Sequence, residues 1–149
     1  MTIKHLPKKI ARGFTLIEIM VVVIILGLLA SVVVPTVMDA LDDAEINKAR
    51  ADMNALKTAL KMYRMQNFAY PTTEQGLEAL VVKPSLAPVP RNWKETGYIE
   101  KLSSDPWGND YQYTNPGEGG HEYDIMSLGA DGISGGEDKN ADISIWDDQ

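Results

Sequence analysis

Two stretches carry residues whose types and spacing point to chemistry. The first is Gly13-Phe14-Thr15-Leu16-Ile17-Glu18, where a glycine that offers a peptidase a flexible, unhindered backbone stands just ahead of an apolar run containing a single carboxylate. Cutting after Gly13 would create an ammonium on Phe14 about one helical turn from Glu18, so the carboxylate would offset an amine of its own chain or of a neighbour packed in a staggered array. The second stretch, Ser127 to Ile143, interleaves glycines with Asp131, Glu137, Asp138 and Asp142. Hard oxygen ligands on a flexible loop suit calcium better than zinc or copper. Asp138, Asn140 and Asp142 have the one-three-five spacing of an EF-hand loop, but Ile143 occupies the sixth position, where glycine belongs, and Gln149 the twelfth, where glutamate belongs. Spacing alone leaves a calcium loop and a merely solvated acidic loop evenly balanced.

Other constellations are missing. Ser127 and Ser134 lack a histidine base, since the two histidines are His5 and His121, and Asp105 with Asp110 reads as turn chemistry. With no cysteine there is no disulfide to staple the fold and no thiol nucleophile.

The elements that must position these residues follow from the pattern. From Phe14 to Val34 the only charged residue is Glu18, and at the helical rise the segment spans about 30 Å, enough to cross a bilayer core. Lys4, Lys8, Lys9 and Arg12 precede it without any acid, which holds the N-terminus in the cytoplasm and sends the rest outward. Ala30 and Ser31 mimic a secretory cleavage site, but cutting after Gly13 instead would leave the whole apolar helix on the mature chain. A carboxylate near the end of such a helix is costly; it either pairs or reaches the headgroups.

Pro35 should kink or locally melt the helix. Beyond it Met38, Leu41, Ala49, Met53, Leu56, Leu60 and Tyr63 form an apolar stripe to about Arg64–Gln66, opposite Asp39, Asp42, Asp43, Lys48, Lys57 and Lys61. Pro71 ends helical structure at Tyr70, and Thr72 with Gln75 has capping-box spacing for a short helix to about Leu80. Pro84, Pro88 and Pro90 make the next segment irregular, pinned down by Trp93, Tyr98 and Ile99. After a turn at 105–110, Tyr111 and Tyr113, then Tyr123, Ile125 and Ser127, alternate as in an antiparallel hairpin around a loop at 115–120. The expected fold is α+β: one long N-terminal helix, membrane half and amphipathic half, whose second half packs on a small antiparallel sheet.

Composition limits the function. A leader of 1–13 and an apolar helix of 14–35 leave 36–149 as a single head. The whole chain carries −7, and without the leader −11, a balance that argues against nucleic-acid binding.

Gly13-Phe14-Thr15-Leu16-Ile17-Glu18 with the following helix resembles the class III signal of type IV pilins and of the pseudopilins of type II secretion. Tyr70-Pro71-Thr72-Thr73-Glu74-Gln75-Gly76-Leu77-Glu78 and Asp105-Pro106-Trp107-Gly108-Asn109 are similar to signatures of major pseudopilins. That resemblance implies cleavage after Gly13 by a prepilin peptidase, methylation of the Phe14 amine, and a structural subunit that catalyses nothing. It implies a single-pass inner-membrane protein with a periplasmic head, which leaves the lipid to form a helical homopolymer with minor pseudopilins. An inner-membrane platform and its ATPase would extend that fibre, with Glu18 near the Phe14 amine of a neighbour, to help drive folded exoproteins through a secretin. It also implies a calcium loop with side chains of Asp131, Asp138 and Asp142 and backbone oxygens of Leu128, Ile133 and Gly136, although the acidic pair that is adjacent in some relatives is interrupted here by Lys139-Asn140-Ala141. The alternative is a type IV pilin of a surface fibre for adhesion, motility or DNA uptake, which commonly closes its C-terminal region with a disulfide that this chain cannot form.

Overall fold

A computed structural model describes residues 13–147; the basic leader residues Lys4 to Arg12 and the EF-hand position Gln149 lie outside the described residues. Helix α1 runs Leu16–Asn67 over 52 residues, and the chain divides into two compact units after Asp39.

In the first unit every side chain from Phe14 to Val34 is exposed, and α1 is, among the described residues, the helix long and apolar enough to cross a membrane. Pro35 does not melt it: the helical assignment continues through the proline, contrary to the local melting expected. Nearby hydroxyls hold the adjoining carbonyls, with Ser31 Oγ donating to Leu28 O at 2.7 Å and Thr36 Oγ1 to Val32 O at 3.2 Å. Neither bond goes to Ser31 O, the carbonyl four residues back that loses its donor to the proline.

The second unit is built on the rest of α1. Ala49, Met53, Leu56, Ala59, Leu60 and Tyr63 are buried, but Met38 and Leu41 are more than half exposed, so the buried stripe starts later than its periodicity suggests. Ile46 packs on the edge of this core and Ala49 is fully buried, so the core begins here. The reciprocal bonds of the expected capping box form, Thr72 N donating to Gln75 Oε1 at 3.1 Å and Gln75 N to Thr72 Oγ1 at 3.2 Å, but they close a turn at 73–76. The short 3-10 helix, Leu77–Leu80, starts after it with Gly76 at its N-cap and no side-chain cap, so it begins later than the spacing predicts. Trp93 closes over it, its indole N–H bonded to Ala79 O at 2.8 Å.

Strand β1 (Gln112–Thr114) pairs antiparallel with β2 (Asp124–Ser127), Tyr113 opposite Ile125, and β2 pairs antiparallel with β3 (Ile143–Ser144). Tyr113, Ile125, Ser127 and Ile143 face inward, and with Tyr111 and Tyr123 they complete the core against α1. The third strand brings the end of the acidic stretch back to the sheet. Trp146 then fixes the segment after β3, its indole donating to Asp124 Oδ1 at 2.8 Å and its ring stacked on His121 at 4.4 Å.

Burial raises the phenol pKa values of Tyr111 and Tyr113 well above normal and that of Tyr123 to about 12, with Tyr70 and Glu122 adding to the last. A folded-state pKa above the unfolded value gives stability that is complete below the unfolded value of about 10 and is lost as pH rises through the folded one. Denaturant midpoints of the head should therefore fall steeply between pH 10 and 12; a flat profile there would contradict this burial.

Candidate functional site

At the N-terminus Thr15 and Glu18 form a second capping box. Thr15 N and Oγ1 donate to Glu18 Oε2 at 2.8 and 2.9 Å, and Glu18 N donates to Thr15 Oγ1 at 3.3 Å. Thr15-x-x-Glu18 ahead of an apolar run is a readable capping signal, and it gives Glu18 a local role beside the pairing expected of it. One carboxylate oxygen is thereby engaged at the first turn. A carboxylate at this end also complements the positive pole of the helix, whether the added charge is the peptide dipole or a new amine at Phe14.

The C-terminal loop is held by the turn that precedes β1. Asp105 is almost fully buried, and its Oδ1 accepts from Trp107 N at 3.1 Å and Asn109 N at 2.8 Å, folding the Asp-Pro-Trp-Gly-Asn segment around itself. Its Oδ2 accepts from Ser127 Oγ at 2.7 Å, and Ser127 Oγ in turn accepts from Gly129 N at 3.3 Å. Asn109 Nδ2 reaches Gly129 O at 2.9 Å. The turn is thus a bracket that sets the exit of β2 and the start of the loop. Ser127 is buried beneath this carboxylate with no histidine bonded to it among the described residues.

The loop then closes on itself. Ala130 N donates to Lys139 O at 2.9 Å, and Lys139 Nζ stands 3.5 Å from Asp42 on α1. Glycine is required at 129 and 136, both at positive φ, because a methyl group at either would collide with the Asn140 carbonyl. Asp131 Oδ1 accepts from Ile133 N at 3.0 Å. Asp142 Oδ2 accepts from Gly135 N at 3.0 Å and Ser134 Oγ at 3.2 Å, while its Oδ1 is buried without a hydrogen-bond partner. Asp131 and Asp138 are exposed, and among the described residues no three acidic, histidine or cysteine side chains stand as one metal-holding group.

The fit to a cation rests on Asp142. A buried, partnerless carboxylate oxygen is costly, and an oxygen-only donor set on a glycine-bearing loop is what a hard cation would satisfy. Leu128, Ile133 and Gly136 lie on the same loop.

An apolar N-terminal helix opened by Gly13-Phe14 and Glu18, together with a head of helix on antiparallel sheet, defines a pilin-like subunit. Residues 36–146 match the family model described as Type II secretion system (T2SS), protein G, and residues 8–34 the prokaryotic N-terminal methylation motif. The chain belongs to the type II secretion system protein G family. It is 58% identical over 135 residues to the type II secretion system core protein G of Pseudomonas aeruginosa, covering 91% of this chain and 94% of that one. To the protein of the same name from Vibrio cholerae it is 56% identical over 137 residues, covering 92% of each. The crystal structure of the major pseudopilin from the type 2 secretion system of enterohaemorrhagic Escherichia coli matches with a TM-score of 0.67 at 50% identity, covering 76% of this chain and 96% of that one.

Proposed function

We propose that the chain is the major structural subunit of a type II secretion pseudopilus. The observation that carries this reading is the match to the protein G family across the head, joined to an exposed apolar helix behind Gly13-Phe14. A prepilin peptidase removes residues 1–13 and methylates Phe14. The subunit waits in the inner membrane with its head in the periplasm, then polymerises so that helices of residues 14–35 pack side by side. Apolar surfaces that satisfy lipid also satisfy each other. Glu18, already anchored by Thr15, lies near the Phe14 amine of a neighbour and sets the stagger. The platform, its ATPase and the minor pseudopilins are partners of this fibre; the subunit has no catalytic role and no nucleic-acid ligand.

Calcium is part of the same proposal. Asp142 is the anchor, its buried oxygen awaiting a partner, with Asp131, Asp138 and the carbonyls of Leu128, Ile133 and Gly136 supplying the remaining ligands. A bound calcium ion would neutralise the carboxylates and tie the two limbs of the loop together.

Mass spectrometry of fibres purified from cells overproducing the chain tests the processing and assembly reading. The subunit should begin at Phe14 and carry one methyl group there; fibres built from chains that retain residues 1–13 would refute it.

A further inference from the structure

Phe68 follows α1 in the left-handed conformation, φ 65°, with its N–H bonded to Arg64 O at 2.7 Å. Glycine takes this helix-terminating position without strain and a phenylalanine does not. That backbone strain is not offset by burial of the side chain among the described residues, for Phe68 is 85% exposed and its neighbour Met65 78%. Both line an open concavity with Lys61, Arg64, Tyr70 and Glu122. Arg64 pairs with Glu122 at 2.6 Å and lies over the Tyr70 ring, whereas Lys61 has no ion pair among the described residues. Exposed apolar side chains kept at a strained position, rimmed by the Lys61 cation and the Arg64–Glu122 pair, indicate a surface held for contact with another molecule.

The complementary surface lies at the other end of the same unit. The bond between Lys139 and Asp42 seats the C-terminal loop beside the start of the head portion of α1. From Asp42 to the end of α1 at Asn67 the helix extends roughly 38 Å. In that loop Ile133 is 67% exposed, flanked in sequence by Asp131, Glu137 and Asp138. Residues 131–147 hold five carboxylates and one lysine, so the loop stays negative even with a divalent cation bound.

We propose that the Phe68 end of the head receives the acidic C-terminal loop of a second copy of this chain, Ile133 packing on Phe68 and Met65 while the loop carboxylates face Lys61 and Arg64. The inference rests on the polymer reading above and names a contact within it. Apolar meets apolar and opposite charges meet at its rim, which favours this pairing over either end meeting its own kind. Two different patches at opposite ends make a heterologous contact, the type that propagates into an open fibre instead of closing into a dimer.

The absence of native cysteine makes the test direct. In the full-length chain, Phe68→Cys and Ile133→Cys are introduced together, fibres are assembled, and a short bismaleimide is added. Covalent trimers and longer ladders are expected from the double variant and from neither single one. Normal fibres without a ladder would overturn the contact, as would dimers from Phe68→Cys alone or its linkage to a different protein. Failure of the unaltered chain to form fibres would instead overturn the polymer reading. Phe68→Gly separates contact from folding: the head should melt at the same temperature or higher, while fibre yield falls several-fold. An undiminished yield would also overturn the proposal.

Discussion

Replacing Asp105 by alanine is expected to lower the melting temperature of the head, expressed from Ala40, by roughly 12 to 20 °C, equivalent to about 3 kcal/mol in a domain of this size. The substitution removes three hydrogen bonds to a buried carboxylate: those from Trp107 N, Asn109 N and Ser127 Oγ. Their loss leaves a fully buried Ser127 hydroxyl without its acceptor, and a deserted buried donor costs more than the mean worth of a hydrogen bond. Asp105→Asn keeps the shape and one acceptor oxygen, so it should lie between the two. Thermal unfolding by circular dichroism measures both. A change of a few degrees in the alanine variant would mean that the bracket between the 105–109 turn and the end of β2 contributes little.

Removal of the proposed calcium ion is the second effect expected to be large. A ligand bound only by the folded state, present at a hundred times its dissociation constant, adds about 2.7 kcal/mol, so chelation should lower the melting temperature of the head by about 10 to 20 °C. Asp131→Ala should abolish the difference between calcium and chelator. In chelator that variant should unfold close to the unaltered head, because Asp131 is exposed and among the described residues its carboxylate bonds only the nearby Ile133 N. Melting curves that coincide with and without chelator would remove calcium from the account.

What the sequence reveals about the fold depends on the range of each interaction. The long helix is legible because an apolar run and then a three- and four-residue stripe repeat over many turns, and the hairpin because Tyr111, Tyr113, Tyr123 and Ile125 alternate. Two capping boxes are local patterns, Thr72 with Gln75 and Thr15 with Glu18; the second is obscured by the demand that a membrane carboxylate makes for an external partner. Strand β3 escapes because Ile143 and Ser144 are two residues at the end of an acidic run, too short for any period to show. The 105–110 turn is legible as a turn, but its purpose is not. Asp105 meets Ser127 across 22 residues and Asn109 meets Gly129 across 20, and no local pattern encodes those pairings. The same holds for Trp146, whose indole bonds Asp124 across 22 residues.

For the candidate site, Gly13, Phe14 and Glu18 are readable because the N-terminal methylation motif they belong to is contiguous in sequence. The loop is readable in composition only. Its acids and glycines are visible, yet which carboxylate turns inward depends on Gly135 N and Ser134 Oγ meeting Asp142, a consequence of how the loop closes.

The central claim is a role in secretion, and deleting the gene in its host addresses it most directly. Exoproteins in the medium and in the periplasm are compared for the deletion strain and for the strain restored from a plasmid. Folded exoproteins should accumulate in the periplasm of the deletion strain and return to the medium on restoration. Unchanged secretion, with loss of surface fibres or twitching instead, would contradict the account and identify a type IV pilin.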